Sequence, residues 1–325
     1  MQYKNELKQV FTSYWHFLAL QKACQFHIFD ILENEHLTIT QLAKRLNLNL
    51  KPLHHLLAFL VEENYLLRTD DFLSLTETGF LLTEKHPESL KNACILWGEE
   101  HLNAWQNLDL TLKTGKSSFE QLYQKPFFDY LMTQSQKLKN YHFAMRDYAK
   151  DDYKAFPLIC DLSQYATIAD IGGGLGVLIG YIAEQNPQSK CTVFDLPSVT
   201  QLIENQDKQP FDIVSGSFFE PLPFNADVLI LARILHDWND EKCSQILDNC
   251  KKGLNSSGNL YILEIMQDEI EAHLMSLNML VMCESYERTY AEYANLLEKS
   301  GFQTQERKKL NSLQTILICK CNIMT

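Results

Sequence analysis

From residue 166 onward, short apolar runs alternate with longer stretches whose apolar positions recur at helical spacing. The runs predict strands at 166–171, 190–195, 211–216, 226–233 and 259–265, with helices between them. Two late segments, Phe302–Leu310 and Thr315–Cys319, predict antiparallel strands at one edge. This alternation is that of an α/β fold with a doubly wound, mostly parallel, Rossmann-like sheet over residues 156–325. Residues 1–155 follow a different pattern, and the domain boundary is expected near Phe156-Pro157. Glu6 to Leu32 reads as a helix whose apolar residues, Phe11, Tyr14, Trp15 and Phe17 among them, cover more than one face. Such a helix must be covered by something, and a partner subunit is the expectation.

Thr38 to Glu84 reads as helix, turn, helix and two-stranded wing. Thr38 caps a short helix to Leu46, and Lys51-Pro52 opens a second with Leu53, Leu56, Leu57 and Leu60 on one face. Leu66–Arg68 and Phe72–Leu75 then form a hairpin around Thr69-Asp70-Asp71. This is a winged helix. Its would-be recognition helix offers His54 and His55 but no cation after Lys51, whereas DNA reading needs phosphate-neutralising charge. A scaffold or dimerisation role is expected instead. Residues 88–155 are largely helical and rich in aromatics that can build a core and wall a pocket for a flat substrate.

In sheets of this kind ligands bind beyond the carboxyl ends of the strands, so those ends are informative. The first strand ends in Asp170-Ile-Gly172-Gly-Gly174-Leu-Gly176, a tight turn into a helix where glycine permits positive φ and close approach to a ligand. A dinucleotide fingerprint would require glycine or alanine at Val177, so the turn favours a nucleoside ligand without a pyrophosphate. Asp170 is expected to cap the turn. The second strand ends at Asp195, within reach of ribose hydroxyls. The third ends at Gly216-Ser217-Phe218, the fourth at Arg233-Ile-Leu-His236-Asp237 and the fifth at Glu264. His236, facing the crevice with Glu264 one strand over, is the candidate for proton chemistry. Asp240 is read as helix N-terminal charge, since Asn239-Asp240-Glu241 opens a helix.

Composition narrows the picture further. The chain has 325 residues, 46% hydrophobic and 22% charged, as in an ordinary soluble globular protein. A formal net charge of -12 argues against a general nucleic-acid binder. No apolar run approaches a membrane span and no signal-peptide core opens the chain, so no membrane partner and a cytoplasmic location are expected. The nine cysteines form no C-x-x-C pair and read as reduced thiols, mostly buried.

Together these pieces resemble the S-adenosylmethionine-dependent O-methyltransferases of the plant caffeate and animal hydroxyindole (acetylserotonin) type. The matching stretches are Asp170–Gly176, Val193–Pro197, Gly216–Pro223, Ile230–Trp238, Ser276–Val281, Glu287–Thr289 and Ser300–Phe302. The resemblance implies an N-terminal winged-helix dimerisation domain, a homodimer, S-adenosyl-L-methionine as cofactor and a small aromatic hydroxyl compound as substrate. It assigns cofactor contacts to Gly172, Gly174, Asp195, Leu196, Ser217, Phe218 and Arg233. It assigns the general base to His236, helper acids to Glu264 and Glu287, and substrate contacts to Asp237 and Asn278. It implies no metal.

Two departures from the family pattern stand out. Ser217 replaces the usual aspartate before the paired aromatics, which removes a charged hydrogen bond of about 1.5–3 kcal/mol. Cys283-Glu284-Ser285-Tyr286 replaces a glycine-containing stretch, and its bulk is expected to narrow or redirect the pocket. The alternatives are a same-fold enzyme that methylates carbon or nitrogen or has lost transfer, and a winged-helix ligand-responsive regulator.

Overall fold

The computed structural model describes residues 2–204, 208–270 and 272–321. The chain divides into two compact units, Met1–Leu102 and Asn103–Thr325. Phe156-Pro157, the boundary read from sequence, lies inside the second unit. The aromatic helices before it are bound there by their own core, in which Ala104, Phe119, Phe127 and Leu131 pack with Val281 and Met282.

In the first unit, β1 (Leu37–Thr38), β2 (Leu66–Thr69) and β3 (Phe72–Leu75) form an antiparallel sheet in the order β1-β3-β2. The β2–β3 hairpin is the wing, and β1 adds a strand too short to carry a sequence pattern. Thr38 and Gln41 form a reciprocal capping box at the helix Ile39–Leu46. Asn49 caps Leu50–Glu62, which buries Leu53, Leu57 and Leu60. The first helix departs from expectation. It runs from Gln2 to Gln25 and then breaks, with His27 left-handed at φ 56° before a second helix, Ile28–Asn34. The break is held by the buried Lys91, whose Nζ lies 3.1 Å from His27 Nδ1 and 2.6 Å from Asp30 Oδ2. The end of the first helix is buried at Ala23 and Cys24, but Leu7, Val10, Phe11, Tyr14 and Trp15 are exposed.

The second unit is built on seven strands in the order β6-β5-β4-β7-β8-β10-β9. These are β4 (Thr167–Ile171), β5 (Lys190–Asp195), β6 (Asp212–Ser215), β7 (Ala226–Ala232), β8 (Leu254–Ile265), β9 (Phe302–Lys309) and β10 (Gln314–Cys321). The first five are parallel, while β10 runs antiparallel to both β8 and β9. Central strands covered on both sides read as continuous apolar runs, as in Val228–Leu231, all fully buried. Successive strands add on one side of β4 as β5 and β6, and on the other as β7 and β8. The reversal opens a crevice between the carboxyl ends of β4 and β7, where the glycine turn and the His236 turn emerge.

No helix among the described residues is long and apolar enough to cross a membrane. All nine cysteines are free thiols, seven of them buried.

Candidate active site

The turn after β4 uses its glycines in different ways. Gly172, Gly174 and Gly176 have φ of 72°, 57° and 77°. A Cβ at Gly172 would lie 2.6 Å from Ile234 Cδ1, and one at Gly176 would lie 2.4 Å from Phe211 Cζ. At Gly174 the space is open, with only His142 Nδ1 within reach at 3.9 Å. The Gly172 amide donates to Phe194 O at 2.8 Å, and the Gly174 amide to Asp195 Oδ2 at 2.8 Å. Leu196 N–H donates to Asp195 Oδ1 at 2.7 Å. Burial raises the Asp195 carboxyl to about 6 against these two bonds, which favour its charged form.

Asp170 does not cap this turn, contrary to the sequence reading. The turn amides are already taken by Phe194 O and Asp195. Asp170 Oδ1 is buried with no partner among the described residues. Burial, reinforced by the Asp195 charge, pushes its carboxyl up to about 7. Ser217 Oγ accepts from Phe219 N–H at 3.2 Å, so it closes a local turn. Phe218 packs 3.2 Å from the position of a Gly172 Cβ.

Beyond β7 the backbone bends at Arg233, whose φ of 57° is unusual for a residue with a side chain. Its N–H is held by Leu263 O at 2.9 Å. The bend delivers its guanidinium to two buried carboxylates. Nη1 lies 3.1 Å from Glu264 Oε2 and 2.9 Å from Glu287 Oε2, and Nη2 lies 2.6 Å from Glu287 Oε1. The two acids then divide their work on the His236 turn. Glu264 Oε1 accepts the Leu235 and His236 amides at 2.9 and 3.4 Å, which fixes the backbone. Glu287 Oε1 lies 3.2 Å from His236 Nδ1, which fixes the ring.

Burial opposes ionisation of Glu287, but the Arg233 and His236 charges outweigh it and hold the carboxyl well below its ordinary value. Glu287 is therefore an acceptor, which in the neutral ring favours the hydrogen on Nδ1 and the lone pair on Nε2. Burial and Arg233 act to lower the imidazole value, yet Asp237, Glu264 and Glu287 together raise it. Burial raises Glu264 and Asp237. Nε2 lies 3.5 Å from Asp237 Oδ1. His236, Glu264 and Glu287 could converge on one ion, but Arg233 already bonds both carboxylates.

Arg288, almost wholly buried, locks the same turn from behind. It donates to Leu235 O at 2.9 Å and Trp238 O at 2.8 Å, and its Nε and Nη2 reach Asp240 Oδ1 at 3.1 and 2.8 Å. Asp240 thus has a task beyond the helix N-terminus that sequence assigned to it. Asn278 lies on the helix His273–Cys283, which packs against the His236 turn, and Trp105 Nε1 donates to its Oδ1 at 2.8 Å. Phe128 stacks on Trp238 at 5.6 Å and 29°. The bulk at 284–286 goes elsewhere than expected. Glu284 Oε1 accepts Ser117 N–H at 3.1 Å and Oε2 meets Lys116 Nζ at 3.2 Å. Ser285 Oγ donates to Trp238 O at 3.1 Å, and Tyr286 is exposed and bonds Glu292.

Residues 105–303 match the O-methyltransferase domain, and residues 8–85 match the O-methyltransferase dimerisation domain. The chain belongs to the O-methyltransferase family. It is an S-adenosylmethionine-dependent O-methyltransferase. It is similar to a phenazine O-methyltransferase, PhzM, from Lysobacter antibioticus, 30% identical over 306 residues that cover 91% of this chain and 90% of the relative. The crystal structure of LaPhzM superposes with a TM-score of 0.92 at 27% identity, covering 98% of this chain and 99% of that one. Human N-acetylserotonin methyltransferase, solved with S-adenosylmethionine, gives a TM-score of 0.88 at 26% identity, covering 99% of both chains.

Three residues of this O-methyltransferase escaped the sequence reading. Arg288 sat inside the Glu-Arg-Thr motif, and its buried setting was the missing signal. Asp170 reads as a cap in sequence, because acidic residues beside glycine turns often are, and only the turn's amide partners show otherwise. Trp105 lies far from Asn278 along the chain, and nothing local connects them.

Proposed function

We propose that the enzyme methylates a hydroxyl of a small aromatic or heteroaromatic acceptor, with His236 as general base. The observation that carries this reading is the Glu287–His236 contact at 3.2 Å, which leaves Nε2 as the proton acceptor. A phenol with pKa near 10 is barely ionised at neutral pH, so the nucleophile is the weak partner in the reaction. A positioned base contributes about 10²–10⁴-fold. The acceptor hydroxyl gives its proton to Nε2, and the resulting imidazolium is stabilised by Glu287 at Nδ1. Glu264 keeps the turn, and hence the ring, in place.

The crevice residues fit the cofactor. Open space above Gly174, the unpartnered Asp170 Oδ1 and the pinned Asp195 make a cradle for a polar, cationic nucleoside. Gly172, Gly174, Asp195, Leu196, Ser217 and Phe218 would hold it. Arg233, assigned to its far end by resemblance, has its main work in neutralising Glu264 and Glu287. When bound, S-adenosylmethionine supplies an electrophilic methyl carbon on a sulfonium whose leaving group is a neutral thioether. Asp237 and Asn278 flank the acceptor.

Aromatic acceptors accord with the stacked Phe128–Trp238 pair and with the names of relatives that act on phenazine and acetylserotonin. The exposed apolar stripe of the first helix, within a dimerisation domain, supports a homodimer. The test is a panel of phenols, hydroxyindoles and hydroxylated heterocycles incubated with isotopically labelled cofactor and scored by mass gain on oxygen. Labelling of aromatic hydroxyls supports the reading. Transfer only to carbon or nitrogen, or to none, overturns it.

A further inference from the structure

We infer that Trp105 makes Asn278 a dedicated hydrogen-bond donor, so that the enzyme selects acceptors carrying an uncharged carbonyl or ring nitrogen near the reacting hydroxyl. This rests on the proposed O-methylation of an aromatic acceptor and narrows its substrate class. An asparagine amide can ordinarily present either its oxygen or its nitrogen. Here the choice is made by a neighbour that has only one option. The indole N–H is a donor and never an acceptor, and Trp105 Nε1 lies 2.8 Å from Asn278 Oδ1. Turning the amide over would place two donors against each other and strand the indole hydrogen.

The other end of the amide, Nδ2, has no hydrogen-bond partner among the described residues. Asn278 is half-buried, and its Nδ2 is not sealed in the interior. Its helix packs on the His236–Asp237 turn. Trp105 itself packs against the same core as Phe128 and Tyr141, built on Phe119, Phe127, Val281 and Met282.

Charge decides which acceptor atom Nδ2 meets. Glu264 and Glu287 share a single guanidinium, Arg233, and Asp237 lies 3.5 Å from His236 Nε2. An additional carboxylate on the substrate would join three others, so a neutral carbonyl oxygen or aza-nitrogen is favoured. A substrate with only C–H at that position would leave Nδ2 without a partner after water is expelled, and discrimination comes from that loss.

The matched probes are hydroxyquinolines, with the ring nitrogen at successive positions, each set against the naphthol of the same shape. The quantities compared are kcat/KM with S-adenosylmethionine and, in parallel, S-adenosylhomocysteine affinity by calorimetry. The wild-type enzyme should prefer at least one hydroxyquinoline over its naphthol by about tenfold or more. Trp105→Phe frees the amide to rotate, and Asn278→Asp removes the donor while keeping an oxygen for Trp105. Both should bring that preference close to one, with S-adenosylhomocysteine affinity retained as evidence of an intact cofactor site. Should Trp105→Phe fold poorly, Asn278→Asp carries the test alone. Naphthols methylated as well as every hydroxyquinoline, or a preference that survives Asn278→Asp, overturns the inference while leaving O-methylation standing. Failure of the wild type to methylate either series, despite binding S-adenosylhomocysteine, overturns both.

Discussion

Asp170→Asn tests whether the crevice carries an unsatisfied charge. Asp170 is 1% exposed, and its Oδ1 has no partner among the described residues. Burial raises its carboxyl from 3.8 to about 7. Below pH 3.8 the group is neutral in folded and unfolded chains alike and contributes nothing. Between the two values the unfolded chain loses the proton while the folded chain keeps it. The wild type therefore loses stability as pH rises through this window, by about a factor of ten in the folding equilibrium per pH unit. The full loss, reached above pH 7, is about 4 kcal/mol.

Asparagine has the same shape and no proton to lose. Urea denaturation of the cofactor-free proteins, at fixed protein concentration from pH 4 to 8, should show the variant gaining on the wild type steadily up to pH 7 and then levelling. S-adenosylmethionine affinity should fall in the variant, because the carboxylate that its sulfonium charge would compensate is gone, while affinity for the uncharged thioether S-adenosylhomocysteine should change less. A stability difference independent of pH, or a variant that loses ground above pH 6, would refute the reasoning.

Three further outcomes are expected. Glu287→Gln leaves Arg233 and His236 without their main anion. Stability should drop by about 3–5 kcal/mol at neutral pH and by less as the pH falls below 4.5, where the unfolded chain's Glu287 takes up a proton before the folded chain's does. The rising limb of kcat/KM against pH, expected above the ordinary imidazole value because His236 is raised, should move to lower pH. Gly172→Ala collides with Ile234 and should lower stability measurably by thermal shift. Gly174→Ala meets open space, so beyond the backbone strain of its φ of 57° it should weaken S-adenosylhomocysteine binding by about tenfold or more. Phe11→Glu with Trp15→Glu, at positions 66% and 61% exposed, should convert a dimer to a monomer in sedimentation velocity.

Much of this was legible in the sequence because it depends on local chemistry. Four glycines within five positions, a carboxylate ending β5 and a histidine just past β7 announce themselves by residue type and strand end. Glu264 and Glu287 were legible only as a pair of candidates. Which acid holds the ring and which holds the backbone depends on the Arg233 bend, and a left-handed arginine leaves no trace in a hydropathy pattern. The break at His27 was hidden for a similar reason, since the Lys91 that holds it arrives from a distant helix. Trp105 and Asn278 meet only after the helices have packed.

The most direct test of the central claim is turnover by His236→Gln, which keeps a hydrogen-bonding side chain but removes the base. With the best acceptor from the panel, kcat should fall by about 10²–10⁴-fold while S-adenosylhomocysteine binds as in the wild type. Turnover within tenfold of the wild type, with cofactor binding intact, would contradict the assignment of the proton to His236.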